Sequence, residues 1–117
     1  MDIIYKDAKT EKLCTNLKEA TKKLNKDIAI KLMATINFIQ SSSNLKDIIS
    51  YPPYHFHNLS GKREGEFAID IGGRKSGYRL ILEPLDKNGE RFKPCDIDKV
   101  TNSVKIILIV EVSNHYE

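Results

Sequence analysis

At Phe67 the spacing of apolar residues changes from a repeat of about 3.6 to a repeat of 2, and this switch constrains the fold more than any other feature. Upstream, Leu13, Leu17, Ala20 and Leu24 recur at intervals of four, three and four, with lysines and glutamates between them. That spacing predicts one apolar face of an amphipathic helix running from Lys9. Downstream, Phe67, Ile69 and Ile71 alternate with Ala68 and Asp70, which predicts a strand with two unlike faces. A chain that reads as helices first and strands afterwards is expected to be α+β, with the helices gathered on one face of a small, mainly antiparallel sheet.

The remaining segments fit that plan. Ile3-Ile4-Tyr5 is β-prone and predicts a short edge strand. Asn25 breaks the first helix and can cap a second over residues 27–40, whose stripe is Ile28, Leu32, Ile36 and Ile39, widened by Ala29 and Met33. A connection this short predicts an antiparallel helix pair. Residues 45–50 are expected to be irregular or a single helical turn. The run Tyr51-Pro52-Pro53-Tyr54 is expected to be extended, because proline fixes its own φ and biases the residue before it. Gly72-Gly73 and Ser76-Gly77 bracket a hairpin turn, and the next strand is expected over residues 78–82, ended by Pro84. Residues 86–101 read as a polar loop. The unbroken apolar run at 106–110 predicts a central final strand covered on both faces. The sheet face away from the helices is then expected to stay free for binding.

Composition narrows the class. A chain of 117 residues, 40% hydrophobic and 30% charged, is enough for one domain (1–117) with its own core and argues against wholesale disorder. The net charge of +3 permits a polyanionic partner without requiring one. Cys14 lies on a helical stripe and reads as a core thiol, while Cys95 follows Pro94 in a polar loop; neither has zinc or redox spacing. The N-terminal segment lacks the pattern of a secretory signal, and no apolar run approaches the ~20 residues that span a bilayer, so a cytoplasmic protein without membrane contact is expected.

Three groups of residues could carry chemistry. The first is the basic set Lys62, Arg63, Arg74, Lys75 and Arg79. The pair Arg74 and Lys75 also suits a solvated turn. Arg79 differs, because it sits mid-strand between apolar neighbours, where charge must be paired or used. Its guanidinium suits a phosphate, and its structural alternative is an ion pair with Asp70 or Glu83. The second is the terminal His115 and Tyr116: a histidine moves protons near neutral pH, and a tyrosine can stack on a base. The third is His55-x-His57. It alternates like metal ligands but has no evident third ligand, so a loop histidine touching backbone or RNA is the better reading. No nucleotide-binding glycine loop is present.

The segments Leu59-Ser60-Gly61-Lys62-Arg63-Glu64-Gly65-Glu66-Phe67-Ala68-Ile69 and Gly77-Tyr78-Arg79-Leu80-Ile81, with His115-Tyr116 at the end, resemble the HigB-type branch of the RelE/ParE toxin superfamily. The resemblance spans nearly the whole chain, its motif core about a third. It implies a RelE-like fold and the toxin of a type II toxin–antitoxin system, partnered by a HigA-like helix-turn-helix antitoxin. Many relatives cut mRNA on the ribosome without a metal or other cofactor. A 2′-hydroxyl attacks its own 3′ phosphate, which needs a base, cations for the developing charge and an acid. By resemblance, Arg79 meets the phosphate, Lys62 and Arg63 form the basic loop, and His115 and Tyr116 handle proton transfer or placement. Arg74, Lys75 and His57 are further candidates for RNA contact. The chain departs from many relatives in carrying Asp70 where they have arginine, and in reading His-Tyr rather than Tyr-His. The superfamily also holds members that inhibit DNA gyrase, so the alternatives are a gyrase-binding toxin or a member that only binds its antitoxin.

Overall fold

A computed structural model describes residues 1–114. The chain opens with β1 (Asp2–Tyr5) and continues into α1 (Ala8–Thr15), α2 (Leu17–Lys23), α3 (Lys26–Ser41) and α4 (Leu45–Ile49). A 3-10 turn (Pro52–Tyr54) leads to β2 (His57–Asn58), then β3 (Phe67–Asp70) and β4 (Tyr78–Leu85). After these come α5 (Ile97–Val100) and β5 (Ile106–Asn114).

Short polar side chains decide where the helices begin. Asp7, Asn16 and Asn25 each accept a hydrogen bond from a backbone N–H three residues on, at 2.8, 3.0 and 2.9 Å, and so satisfy donors that a helix start leaves open. Asn16 does this in extended backbone (φ −122°, ψ 105°), which cuts the expected first helix into two. The phase slips at the break. Leu17, expected on the apolar stripe, is 49% exposed, while Cys14 and Ala20 are buried. No such break interrupts α3, and its stripe Ile28, Leu32, Ile36 and Ile39 is buried as expected.

The described strands form one sheet in the order β1-β5-β4-β3-β2. The β1–β5 pair is parallel and the other three pairs are antiparallel. Parallel pairing needs a long crossover, and the helices lie within it. Phe67, Ile69, Ile71, Leu80, Leu82, Ile107 and Ile109 meet Cys14 and the α3 stripe in the main core. The alternation expected at β3 and β4 is therefore observed.

Four expectations need correction. Tyr51 is extended, but Pro52 and Pro53 open a 3-10 turn, because proline's φ near −65° suits a helical first turn as well as an extended chain. That turn seats Tyr54 in the core, edge-on to Phe38 with ring centroids 5.1 Å apart. Pro84 does not end its strand. Beyond Leu82 the strand has no β3 partner, and a proline's missing donor is tolerated where pairing is one-sided. Residues 86–101 are not merely a loop: Asp86 fixes a turn by accepting from Asn88 N and Glu90 N, and α5 follows.

The fourth correction concerns the sheet face away from the helices, which is partly covered. A register shift at Ile81/Leu82 leaves Val110 as an extra residue opposite β4, and Val110 joins Ala68 and Ile81 in a second buried cluster. Leu59 and Leu108 pack on it. The segment after β2 thus folds back over this face.

Candidate nucleic-acid interface

Arg79 and Asp70 lie directly opposite each other on β4 and β3, and Ser113 of β5 faces Arg79 from the other side. Arg79 Nε is 3.2 Å from Asp70 Oδ1. The Asp70 side chain has no solvent exposure and that of Arg79 has 21%. Neither Asp70 oxygen has a hydrogen-bond partner, nor has Arg79 Nη1, so the contact is a buried ion pair without a directional bond. The ion-pair alternative for Arg79 is therefore what the strand register produces, with Asp70 and not Glu83 as partner. A histidine that the sequence left in a loop completes the group: His55 Nδ1 lies 3.9 Å from Asp70 Oδ2. His55 has φ 46°, in the left-handed region, which turns the chain from the 3-10 helix toward β2.

The other arginines near the sheet are also committed. Arg63 donates to Glu66 at 2.7 Å and to Glu111 on β5, pinning residues 59–66 across the face. The bond to Glu111, then that to Glu66, holds the Arg63 guanidinium still more firmly protonated. Glu83, nearly buried, takes Arg91. Lys62, Arg74 and Lys75 are exposed and make no ion pair among the described residues.

Strand register decides which candidates come together. The 3-10 turn Arg74–Ser76 joins β3 to β4 at the end where Tyr78 faces Asn114. Arg74, Lys75 and Arg79 therefore share one end of the sheet with the close of β5. A side chain at Gly72 in this turn would meet Lys31 Cδ at 2.9 Å, and with φ at 76° only glycine lets the turn close against α3. His115 and Tyr116 lie outside the described residues. His57 is on the short edge strand opposite Ala68, and its Nδ1 bonds the His55 carbonyl at 2.8 Å. Its ring lies 4.8 Å from that of His55, so it joins the Asp70 group from across β3.

Sequence reasoning named His55 but not its contact with Asp70, and it missed Glu111 and Arg91. The sign of Glu111, on a strand otherwise apolar from 106 to 112, was the available signal for an ion pair on this face. No group of three histidines, cysteines or carboxylates placed to hold a metal occurs among the described residues. Chemically, the cluster offers a guanidinium ion-paired at one nitrogen, two exposed cations at the same end of the sheet and an imidazole against its carboxylate. That set can position a phosphate but presents little net charge. No protein-family model matches the chain, and no curated protein matches it either.

Proposed function

We propose that the chain is a RelE-like toxin of the HigB type, acting in a type II toxin–antitoxin system as a ribosome-dependent mRNA endonuclease. The observation that carries this reading is the placement of Arg79. Asp70 pairs with its Nε, part of the side chain stays exposed, and its neighbour on β5 is two residues before His115. An arginine anchored at Nε with part of its fork exposed can bond a phosphate, and the sequence supplies a proton-transfer group two residues beyond Ser113. In this reading Arg74 and Lys75 approach the RNA backbone, His115 and Tyr116 serve proton transfer or placement, and a HigA-like antitoxin covers the same surface.

The test is induced expression with mapping of mRNA 5′ ends, beside a gyrase supercoiling assay. New 5′ ends that disappear in Arg79→Lys, which keeps the charge but loses the planar fork, are expected. Inhibited supercoiling without new 5′ ends sinks the nuclease reading. One observation favours the second reading, a toxin that inhibits gyrase or a chain that only binds its antitoxin: Asp70 and Glu111 neutralise the two arginines best placed to meet RNA.

A further inference from the structure

On the other side of β2 and β3 lies a cavity of about 390 Å³, lined in part by Phe56, Asn58, Glu64, Phe67, Cys95 and Ile97. Its size falls in the roughly 300–1,000 Å³ range of small-molecule sites. Strand register explains its lining. Asn58 pairs with Phe67, so their side chains share the face opposite to that of Ala68 and His57. Phe56 falls on that face by alternation, and its ring stacks on Phe67 with centroids 5.0 Å apart and planes 15° apart. Phe67 is buried and Phe56 only partly so, which leaves a flat aromatic floor with one accessible ring. Ile97 and Cys95 add apolar wall, and the Cys95 thiol is kept neutral because burial raises its pKa.

The polar groups at this cavity are few and specific. Glu64 offers two acceptor oxygens and no donor, and it makes no ion pair among the described residues. Asn58 offers an amide that both donates and accepts. Glu64, Gly65 and Cys95 also line a second depression of about 320 Å³, which is completed by Arg91, Phe92, Lys93 and Pro94. The two hollows therefore adjoin. Gly65 forms the saddle between them: a Cβ there would lie 3.3 Å from Arg91 Nη2, and its φ of 94° disfavours any other residue. Arg91 is neutralised by Glu83, but Lys93 is exposed and makes no ion pair among the described residues.

We infer that this double hollow binds a guanine nucleotide unit, with the base on Phe56 and the phosphate toward Lys93. An aromatic ring supplies stacking to any base. The carboxylate selects. Guanine presents two adjacent donors, its ring N–H and its exocyclic amine, which match the paired acceptors of Glu64. Adenine and cytosine present a ring acceptor on that edge, which a carboxylate repels. The Asn58 amide can donate to the guanine carbonyl. This site lies at the β2 edge of the sheet and includes none of Arg79, Asp70 and His55, so its test does not depend on RNA cleavage there. The nucleotide can come free or as part of a single strand, since the recognising chemistry is the same.

Isothermal titration of the full chain with GMP, AMP and guanosine tests the assignment. GMP is expected to bind at least tenfold more tightly than AMP, and more tightly than guanosine. Glu64→Gln, an exposed substitution, is expected to lower GMP affinity by about tenfold or more, the range of a hydrogen bond to a charged group. Lys93→Ala is expected to remove the advantage of GMP over guanosine. A short single-stranded RNA with one guanine, titrated beside GMP, assigns the source: tighter binding of the strand points to RNA, tighter binding of GMP to a free nucleotide. Equal affinity for GMP and AMP, an unaffected Glu64→Gln variant of unchanged thermal midpoint, or no heat with GMP at millimolar concentration overturns the inference. None of these outcomes depends on toxicity or mRNA cleavage.

Discussion

Arg79→Ala, the obvious test of a phosphate-binding arginine, is expected to damage the fold before it reports on function. The substitution leaves the Asp70 carboxylate with no solvent exposure and only the 3.9 Å contact to His55 among its described ion-pair partners. Removing one member of a buried pair costs about 3–5 kcal/mol, because the remaining charge is stranded. The 21% exposure of Arg79 lets some water follow, which favours the lower end, about 3 kcal/mol. A domain of this size commonly has ~5–15 kcal/mol in total, so the variant keeps as little as about two-fifths of its stability. Replacing both residues by apolar ones, as in Asp70→Leu with Arg79→Met, removes the stranded charge and is expected to cost less than about 1 kcal/mol. The assay is urea unfolding of Arg79→Ala, of Asp70→Leu and Arg79→Met singly and together, and of the parent chain, followed by far-ultraviolet circular dichroism. A coupling energy of about 3 kcal/mol is expected from the cycle. If Arg79→Ala costs under 1 kcal/mol, or the double variant is no better than the single one, the pair is not energetically buried and the reasoning fails.

Three further outcomes follow from the same geometry. Burial raises the Cys14 thiol from 9.0 to about 12 and the Tyr5 hydroxyl from 10.0 to about 12, so each ionises earlier in the unfolded chain. Their contribution is complete below about pH 9 and is lost as pH rises toward 12; urea midpoints should fall over that window, and Cys14→Ala should flatten the fall that begins near pH 9. Asn25→Ala should cost about 1 kcal/mol by removing the α3 cap while Asn25→Asp is nearly neutral, and an unchanged melting curve for the alanine variant would refute the capping role. Arg63→Ala should cost at most about 1 kcal/mol despite its two partners, because all the groups reach solvent; a loss above 2 kcal/mol would mean that residues 59–66 are held as core.

The fold was legible where spacing alone decides burial. Residues 67–71 and α3 each show an undisturbed period over a long enough run, and the structure buries the faces that these periods predict. Reading failed where one side chain acts through geometry. Asn16 looks like any helix-surface polar residue until its carbonyl oxygen caps the next helix, and that one bond moves Leu17 from core to surface. Pro84 carries a rule about donors, but whether the donor is needed depends on how far β3 extends, which is a tertiary fact. The site was half legible for the same reason. Alternation placed Arg79 and Asp70 on one face, and a mid-strand arginine demanded a partner, so the pair itself was foreseeable. The bond from Arg63 to Glu111 spans 48 residues and crosses the sheet, and no local pattern announces it.

Charge placement then decides how such a surface could hold RNA. Residues 1–50 carry nine lysines against six acidic side chains, whereas residues 51–117 carry ten cations against ten, so the net charge of +3 belongs to the helical half. In residues 59–66 and at the β3–β4 turn, the cations without a carboxylate partner among the described residues are Lys62, Arg74 and Lys75. Each phosphate neutralised on a single strand contributes about 0.7 to the slope of log affinity against log salt. Binding through the sheet alone should therefore give a slope of about −2. The exposed lysines Lys18, Lys22, Lys23 and Lys26 lie on α2 and at the start of α3, in the helical layer, and a strand that reached them as well would steepen the slope well beyond that value. A measured slope near −2 that falls toward zero in Arg74→Ala with Lys75→Ala places the RNA on the sheet. A slope near −3 that ignores those substitutions, and drops when the α2 lysines are replaced, places it on the helices and removes Arg79 from the binding surface.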